Sequence, residues 1–201
     1  MLLQRRKETM RQLIRGIAFL YLIYIASPTC AQTFRLEQKS DSLNVLVLET
    51  RGKDGKVVRT ARWELPYPVY RLATGDVDGD GKAEAMVGVV KATRFYPEKG
   101  KRIFVFKNLR GNIRPLWMGS RLGGDLVDFA FVNGRLRSLE QSADGKRFAV
   151  GVYSWSRFGP AFEKYLITNS TRHESMEVFL GHKSPSGHRA GSHPAGSMQI
   201  R

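Results

Sequence analysis

Residues 69–90 read VYRLATGDVDGDGKAEAMVGVV. Two apolar runs, Val69 to Ala73 and Ala85 to Ala92 (AMVGVVKA), flank nine residues dominated by Asp and Gly. Apolar runs of this length, bounded by Gly and Asp, are the pattern of β-strands. Neither run carries the 3.6-residue period of an amphipathic helix. The stretch therefore predicts strand, tight loop, strand. The same grammar continues in both directions. Upstream, Leu43 to Thr50 (LNVLVLET) and Val57 to Trp63 flank Arg51-Gly52-Lys53-Asp54-Gly55-Lys56, and Asp-Gly between apolar runs is a hairpin signal. Downstream, Tyr96 to Gly100 reads as a turn and Arg102 to Lys107 (RIFVFK) alternates with period two. Leu126 to Val132 and Arg135 to Glu140 flank Asn133-Gly134, the preferred pair for a type I′ turn. After a turn at Ala143 to Lys146 come Phe148 to Trp155 and Phe162 to Ile167. The expectation is an all-β domain over residues 32–167, built of about ten short antiparallel strands and hairpins. Its form would be propeller-blade-like or a small closed β fold.

The loop itself, Asp76-Val77-Asp78-Gly79-Asp80-Gly81-Lys82-Ala83-Glu84, puts four carboxylates at alternate positions. A turn needs one or two such side chains to cap its backbone. Four like charges so close together cost free energy unless a cation sits among them. Ca²⁺ takes six to eight oxygen ligands from carboxylates, carbonyls and water, so it is the expected ion, and its expected role is to pin the loop between two strands. With Asp76 as the first position, Asp78 and Asp80 are third and fifth, and Lys82 can offer its backbone carbonyl at the seventh. Glu84 is ninth. An EF-hand would need Glu at the twelfth position and flanking helices; here the twelfth residue is Val87, inside a strand pattern.

Residues Leu72 to Gly88 resemble the calcium loops of FG-GAP and VCBS-type repeats, the β-propeller blades of integrin α-chain heads and many secreted bacterial proteins. The block WELPYPVYRLATGDVDGDGKAEAMVGV, residues 63–89, also resembles secreted bacterial FG-GAP-like proteins. The resemblance implies Ca²⁺ ligation by the side chains of Asp76, Asp78, Asp80 and Glu84 and by the carbonyl of Lys82. It brings no activity with it. Two departures stand out. The chain holds one full acidic loop, with Asp125-Leu126-Val127-Asp128 a degenerate second that lacks the glycines. Ten strands also fall short of the four four-stranded blades with which propellers begin.

Composition narrows the chemistry. The stretch from Gln32 to Ile167 contains no His and no Cys. That excludes Ser-His-Asp and Cys-His catalysis, histidine acid–base chemistry and an ordinary zinc site from it. The same stretch holds 24 Lys and Arg against 15 Asp and Glu, spread along the chain. A basic surface of this kind either keeps a secreted protein soluble or attracts acidic polymers and anionic lipid.

At the N-terminus, Arg5, Arg6, Lys7, Arg11 and Arg15 precede a ten-residue apolar run, Ile17 to Ala26, followed by Thr29-Cys30-Ala31. This is the layout of a secretory signal peptide over residues 1–31, starting from Met1 or Met10. The run is short of the roughly 20 residues that span a bilayer. A secreted or periplasmic location follows, with a lipoprotein or membrane anchor as the lesser alternatives. A cut after Ala31 would remove Cys30, the single cysteine. Residues 168–201 are rich in Ser, Gly and Arg and carry all four histidines, His173, His182, His188 and His193. They are expected to form a disordered tail.

Three functional expectations result. The first is a calcium-stabilised binding or structural module without catalysis, whose partner is a protein or glycan, with possible association with the cell envelope and no specific nucleic acid. The second is a carbohydrate-binding or carbohydrate-active protein. It would use Trp63, Tyr67 and Tyr70 as a stacking surface and a pair drawn from Glu64, Asp125, Asp128, Glu140 and Glu163. The bland reading of those aromatics is core packing. The third is a basic module for polyanions or membrane surfaces. The arginines of Arg110-Gly111 and Arg121-Leu122-Gly123-Gly124 could grip an anion or stand at solvated hairpin tips.

Overall fold

The computed structural model describes residues 32–182 except 95, 120 and 121. Among these residues eleven strands form three open antiparallel meanders, within each of which strands adjacent in sequence are bonded to one another. The first sheet is β1 (Gln32–Gln38), β2 (Asn44–Arg51) and β3 (Val57–Leu65). The second is β4 (Val69–Gly75), β5 (Glu84–Thr93), β6 (Tyr96–Leu109) and β7 (Asn112–Trp117). The third is β8 (Asp125–Val132), β9 (Arg135–Gln141), β10 (Phe148–Ser156) and β11 (Gly159–Ser170), and it is followed by a helix, α1 (Arg172–Leu180). The all-β expectation holds. Among the described residues no sheet closes into a barrel; burial comes from stacking the sheets instead.

The pleat explains the stack. Alternate residues of a strand face opposite sides. On β5, Ala85, Val87 and Val89 pack with Leu46, Leu48 and Leu65 of the first sheet, while Met86 packs with Phe129 and Leu136 of the third. On β6, Phe104 and Phe106 turn to the first sheet, and Ile103 and Val105 to the third. The central sheet is covered on both faces, which is why its two middle strands read as unbroken apolar runs. Gly88 of β5 is fixed by that packing: a Cβ there would lie 2.6 Å from the Tyr70 ring and 2.9 Å from Phe129.

Both ends of the stack are sealed by this chain. Register places Arg35, Val47 and Arg62 abreast on the outer face of the first sheet, next to Glu37 and Val45. Arg35 bonds Glu49 at 2.7 Å and Glu37 at 2.6 Å, Lys39 lies 3.2 Å from Glu37, and Arg62 also bonds Glu37. Val45 and Val47 on the same face are fully or nearly buried. At the other end, Val178 and Phe179 of α1 cover Leu139 and Val150.

The helix corrects the tail expectation for residues 168–182 only. Strand β11 runs on to Ser170, and Thr171 opens α1 with a capping box: its side chain accepts from Glu174 N at 3.3 Å, and Glu174 Oε2 accepts from Thr171 N at 2.9 Å. Gly181, at φ 80°, closes the helix as a left-handed cap. The domain thus extends past residue 167, because Val178-Phe179 has an apolar sheet face to cover. Residues 183–201, with His188 and His193, and residues 1–31, with the signal-like segment and Cys30, lie outside the described residues. Two strands, β1 and β7, arise where none was expected. The turn expected at Tyr96 to Gly100 is instead the start of β6. Pro115 is accommodated in β7 because that strand is an edge, where a missing N–H disturbs no second ladder. Asn133 and Gly134 have φ of 52° and 73°, as a type I′ turn requires.

Candidate metal centre

The acidic loop joins β4 to β5, and three anchors shape it. Val77, 8% exposed, is drawn into the core between the second and third sheets. Glu84, 1% exposed, begins β5 and accepts Val77 N at 2.8 Å and Asp78 N at 3.4 Å. Asp76 accepts Gly79 N at 2.8 Å and Gly81 N at 3.0 Å, which folds the loop back on its own first carboxylate. Gly79 and Gly81 have φ of 78° and 80°, a conformation that other residues resist.

The result is convergence. Carboxylate oxygens of Asp76, Asp78 and Glu84 all lie within 4.8 Å of one another. Asp80 is not in this group. Its Oδ1 accepts Lys82 N at 2.9 Å, and its Oδ2 lies 3.8 Å from both the Lys82 and Lys107 ammoniums. Burial pushes the Glu84 carboxyl above its ordinary range, the neighbouring Asp78 and Asp80 push it further, and the Val77 N–H opposes both.

Lys107 is the functional residue that sequence reasoning missed. It lies on β6, one position beyond the Ala85–Phe106 pair, so the ladder sets it beside Glu84. Its Nζ donates to Asp78 Oδ2 at 2.6 Å. The Asp78 hydrogen bond, reinforced by the charges of Asp78, Asp80 and Glu84, raises the lysine above its usual value. Part of the loop's charge is therefore met by an internal cation. No pattern around residue 107 announces this, since only strand pairing brings it to the loop.

The donor set suits a hard cation. Three convergent carboxylates supply oxygen ligands only, as Ca²⁺ prefers over softer metals, and no atom lies within 4 Å of where a Cβ would stand on Gly79 or Gly81. The residues fit. Lys107 is the competitor that an ion would have to displace or share Asp78 with.

The other candidate residues are placed differently. Trp63 packs on Phe106, ring centres 5.7 Å apart, and Tyr67 meets Phe104 edge-on at 5.7 Å. Tyr70 sits edge-on to Phe129, its hydroxyl buried without a partner. These three are packing residues at the sheet junctions and form no exposed stacking surface. Asp128, within β8, is held by a two-bond fork from Arg71, 2.5 Å on each arm; Asp125-Leu126-Val127-Asp128 is thus the start of a strand and not a second loop. Glu163 pairs with Arg135 at 2.8 Å. Glu140, 2% exposed, accepts Ser138 Oγ and Tyr153 OH at 2.6 Å each, and Gly124 N at 2.6 Å. That network pins the segment entering β8. Arg110-Gly111, both at positive φ, form the β6–β7 turn.

No protein-family model matches the chain, and no curated protein matches it significantly. The reading of the loop therefore stands on its own residues and geometry.

Proposed function

We propose that this chain is a secreted, non-catalytic binding or structural module of the FG-GAP/VCBS type, with stacked propeller-blade-like sheets stabilised by Ca²⁺. The observation that carries the reading is the convergence of Asp76, Asp78 and Glu84 within 4.8 Å at the β4–β5 loop. Asp80 and the Lys82 carbonyl complete the ligand set that the sequence suggests. Bound there, the ion would supply the positive charge that a buried Glu84 lacks and would tie β4 to β5. Secretion rests on the N-terminal segment. Residues 32–167 hold no His and no Cys, and the two histidines of the described domain, His173 and His182, lie on α1 and just past its end and not in the loop sequence.

The test is thermal unfolding of the chain in chelator, in Mg²⁺ and across a Ca²⁺ titration, with Asp78→Ala alongside. The expected result is a Ca²⁺-specific rise in midpoint that grows with ion concentration and is absent in the variant. No shift at millimolar Ca²⁺ refutes the reading.

A further inference from the structure

We propose that the cleft between the β3–β4 connection and the β5–β6 hairpin binds a carboxylated oligosaccharide. The cleft is an open groove of about 550 Å³ whose lining includes Pro66, Tyr67, Pro68, Lys91, Pro97 and Lys99. Small-molecule sites occupy roughly 300–1,000 Å³. It lies at the far end of β5 from the acidic loop: Glu84 begins the strand and Lys91 stands near its end. The inference is therefore independent of calcium.

The floor of the cleft is preorganised. Buried Asn44 donates Nδ2 to the Tyr67 carbonyl at 3.1 Å, and Val90 N donates to the Pro68 carbonyl at 2.9 Å. Tyr67 is 8% exposed and braced by Phe104. Pro66, Pro68 and Pro97 add walls with fixed φ.

Charge selects the ligand. Residues 91–102 carry five basic residues, Lys91, Arg94, Lys99, Lys101 and Arg102, against one acid, Glu98. Several of the cations are held by neutral partners. Lys91 Nζ sits 4.6 Å over the Tyr67 ring, Lys101 donates to the Val127 carbonyl at 2.6 Å, and Arg102 to the Lys101 carbonyl at 2.8 Å. Lys91 and Lys99 are the cations that line the cleft itself, and among the described residues no ion pair neutralises either, so the cleft lies in a positive field.

The walls select among anions. A nucleic acid base needs a free aromatic face to stack on, and Lys91 covers that of Tyr67. An extended peptide needs free backbone groups on a sheet edge; the edge strands β3 and β4 meet the cleft at Pro66-Tyr67-Pro68, whose prolines lack an N–H and whose Tyr67 N, Tyr67 O and Pro68 O are already bonded to Leu65 O, Asn44 Nδ2 and Val90 N. A sugar ring needs neither. Its apolar face can lie on the prolines, its hydroxyls can reach Ser42, which also lines the cleft, and its carboxylate can meet Lys91 and Lys99.

The test titrates the full chain with trigalacturonic acid, the neutral galactose trimer, a hexaglutamate peptide and a single-stranded oligonucleotide, by calorimetry and by amide chemical shifts. The uronate should bind at least about tenfold tighter than each of the others, and added salt should weaken it. Lys99→Met should weaken binding by several-fold without moving the unfolding midpoint, since Lys99 is exposed and among the described residues no ion pair holds it. Lys91→Met with Lys99→Met should weaken it by about tenfold or more. Asp78→Ala, which removes a candidate calcium ligand, should bind the uronate normally. The proposal is overturned if the uronate does not bind at millimolar concentration. It is equally overturned if the neutral sugar, peptide or oligonucleotide binds as tightly, or if Lys99→Met and the double variant bind like the parent.

Discussion

Lys107→Met takes away the ammonium that sits among the loop carboxylates while keeping most of the apolar stem. The Lys107–Asp78 contact is a charge-assisted hydrogen bond of 2.6 Å, with side-chain accessibilities of 25% and 16%. A hydrogen bond to a charged group contributes about 1.5–3 kcal/mol. Partial exposure screens this one, so the lower part of the range, about 1.5–2 kcal/mol, is expected. For a chain of this size, at about 2–4 °C per kcal/mol, the midpoint in chelator should fall by about 3–8 °C. The lysine's raised value sets the pH window. The contribution is whole below its ordinary 10.5 and is lost as pH rises through the higher folded value. The calcium arm has the opposite sign. In the parent an ion must compete with Lys107 for Asp78; in the variant it need not. The same 1.5–2 kcal/mol should appear as Ca²⁺ binding about 10–30-fold tighter. Saturating Ca²⁺ should bring the two midpoints together. Thermal scans in chelator and a calcium titration read both arms. A midpoint in chelator equal to the parent's would refute the claim that Lys107 neutralises the loop. A calcium affinity that weakens on losing the lysine would refute competition.

Other outcomes follow from the stack. Gly88→Ala pushes a methyl into the Tyr70 and Phe129 rings and should cost about 1–3 kcal/mol of overpacking, read as a lower denaturant midpoint. Phe179→Ala, at a site 5% exposed, should cost about 3–5 kcal/mol, and a chain ending at residue 167 should fold poorly, since it bares Leu139 and Val150. Glu37 should titrate at about 2 in carboxylate NMR, held down first by Arg62 and then by Arg35 and Lys39. Its depressed value means that the ion-pair lattice on the first sheet contributes fully above pH 4.5 and fades as pH falls through about 2.

Local chemistry was the part of this fold legible in the residues. Alternation, Asp-Gly and Asn-Gly turns and short apolar runs carry the class and most strands, because each is a property of a few adjacent residues. The acidic loop was legible for the same reason. The helix carries a local signal of its own: Thr171 with Glu174 is a capping box and Gly181 a helix stop. Its surroundings of Ser, Gly and His hid it, and the apolar pair Val178-Phe179 had no visible partner in sequence.

By itself, then, the chain's sequence determined an all-β class, the turn positions and a loop with too many acids to stand alone. Those follow from dihedral preference and charge density over a few residues. Tertiary structure decided the rest. Stacking packed Trp63, Tyr67 and Tyr70 into the junctions, Tyr67 buried and the other two partly so, where they form no open stacking surface. Strand register carried Lys107 across 29 residues of sequence to Asp78, and the third sheet's bare face recruited α1. Such pairings are set by which apolar faces must cover one another, a condition on the whole chain that no short window of it contains.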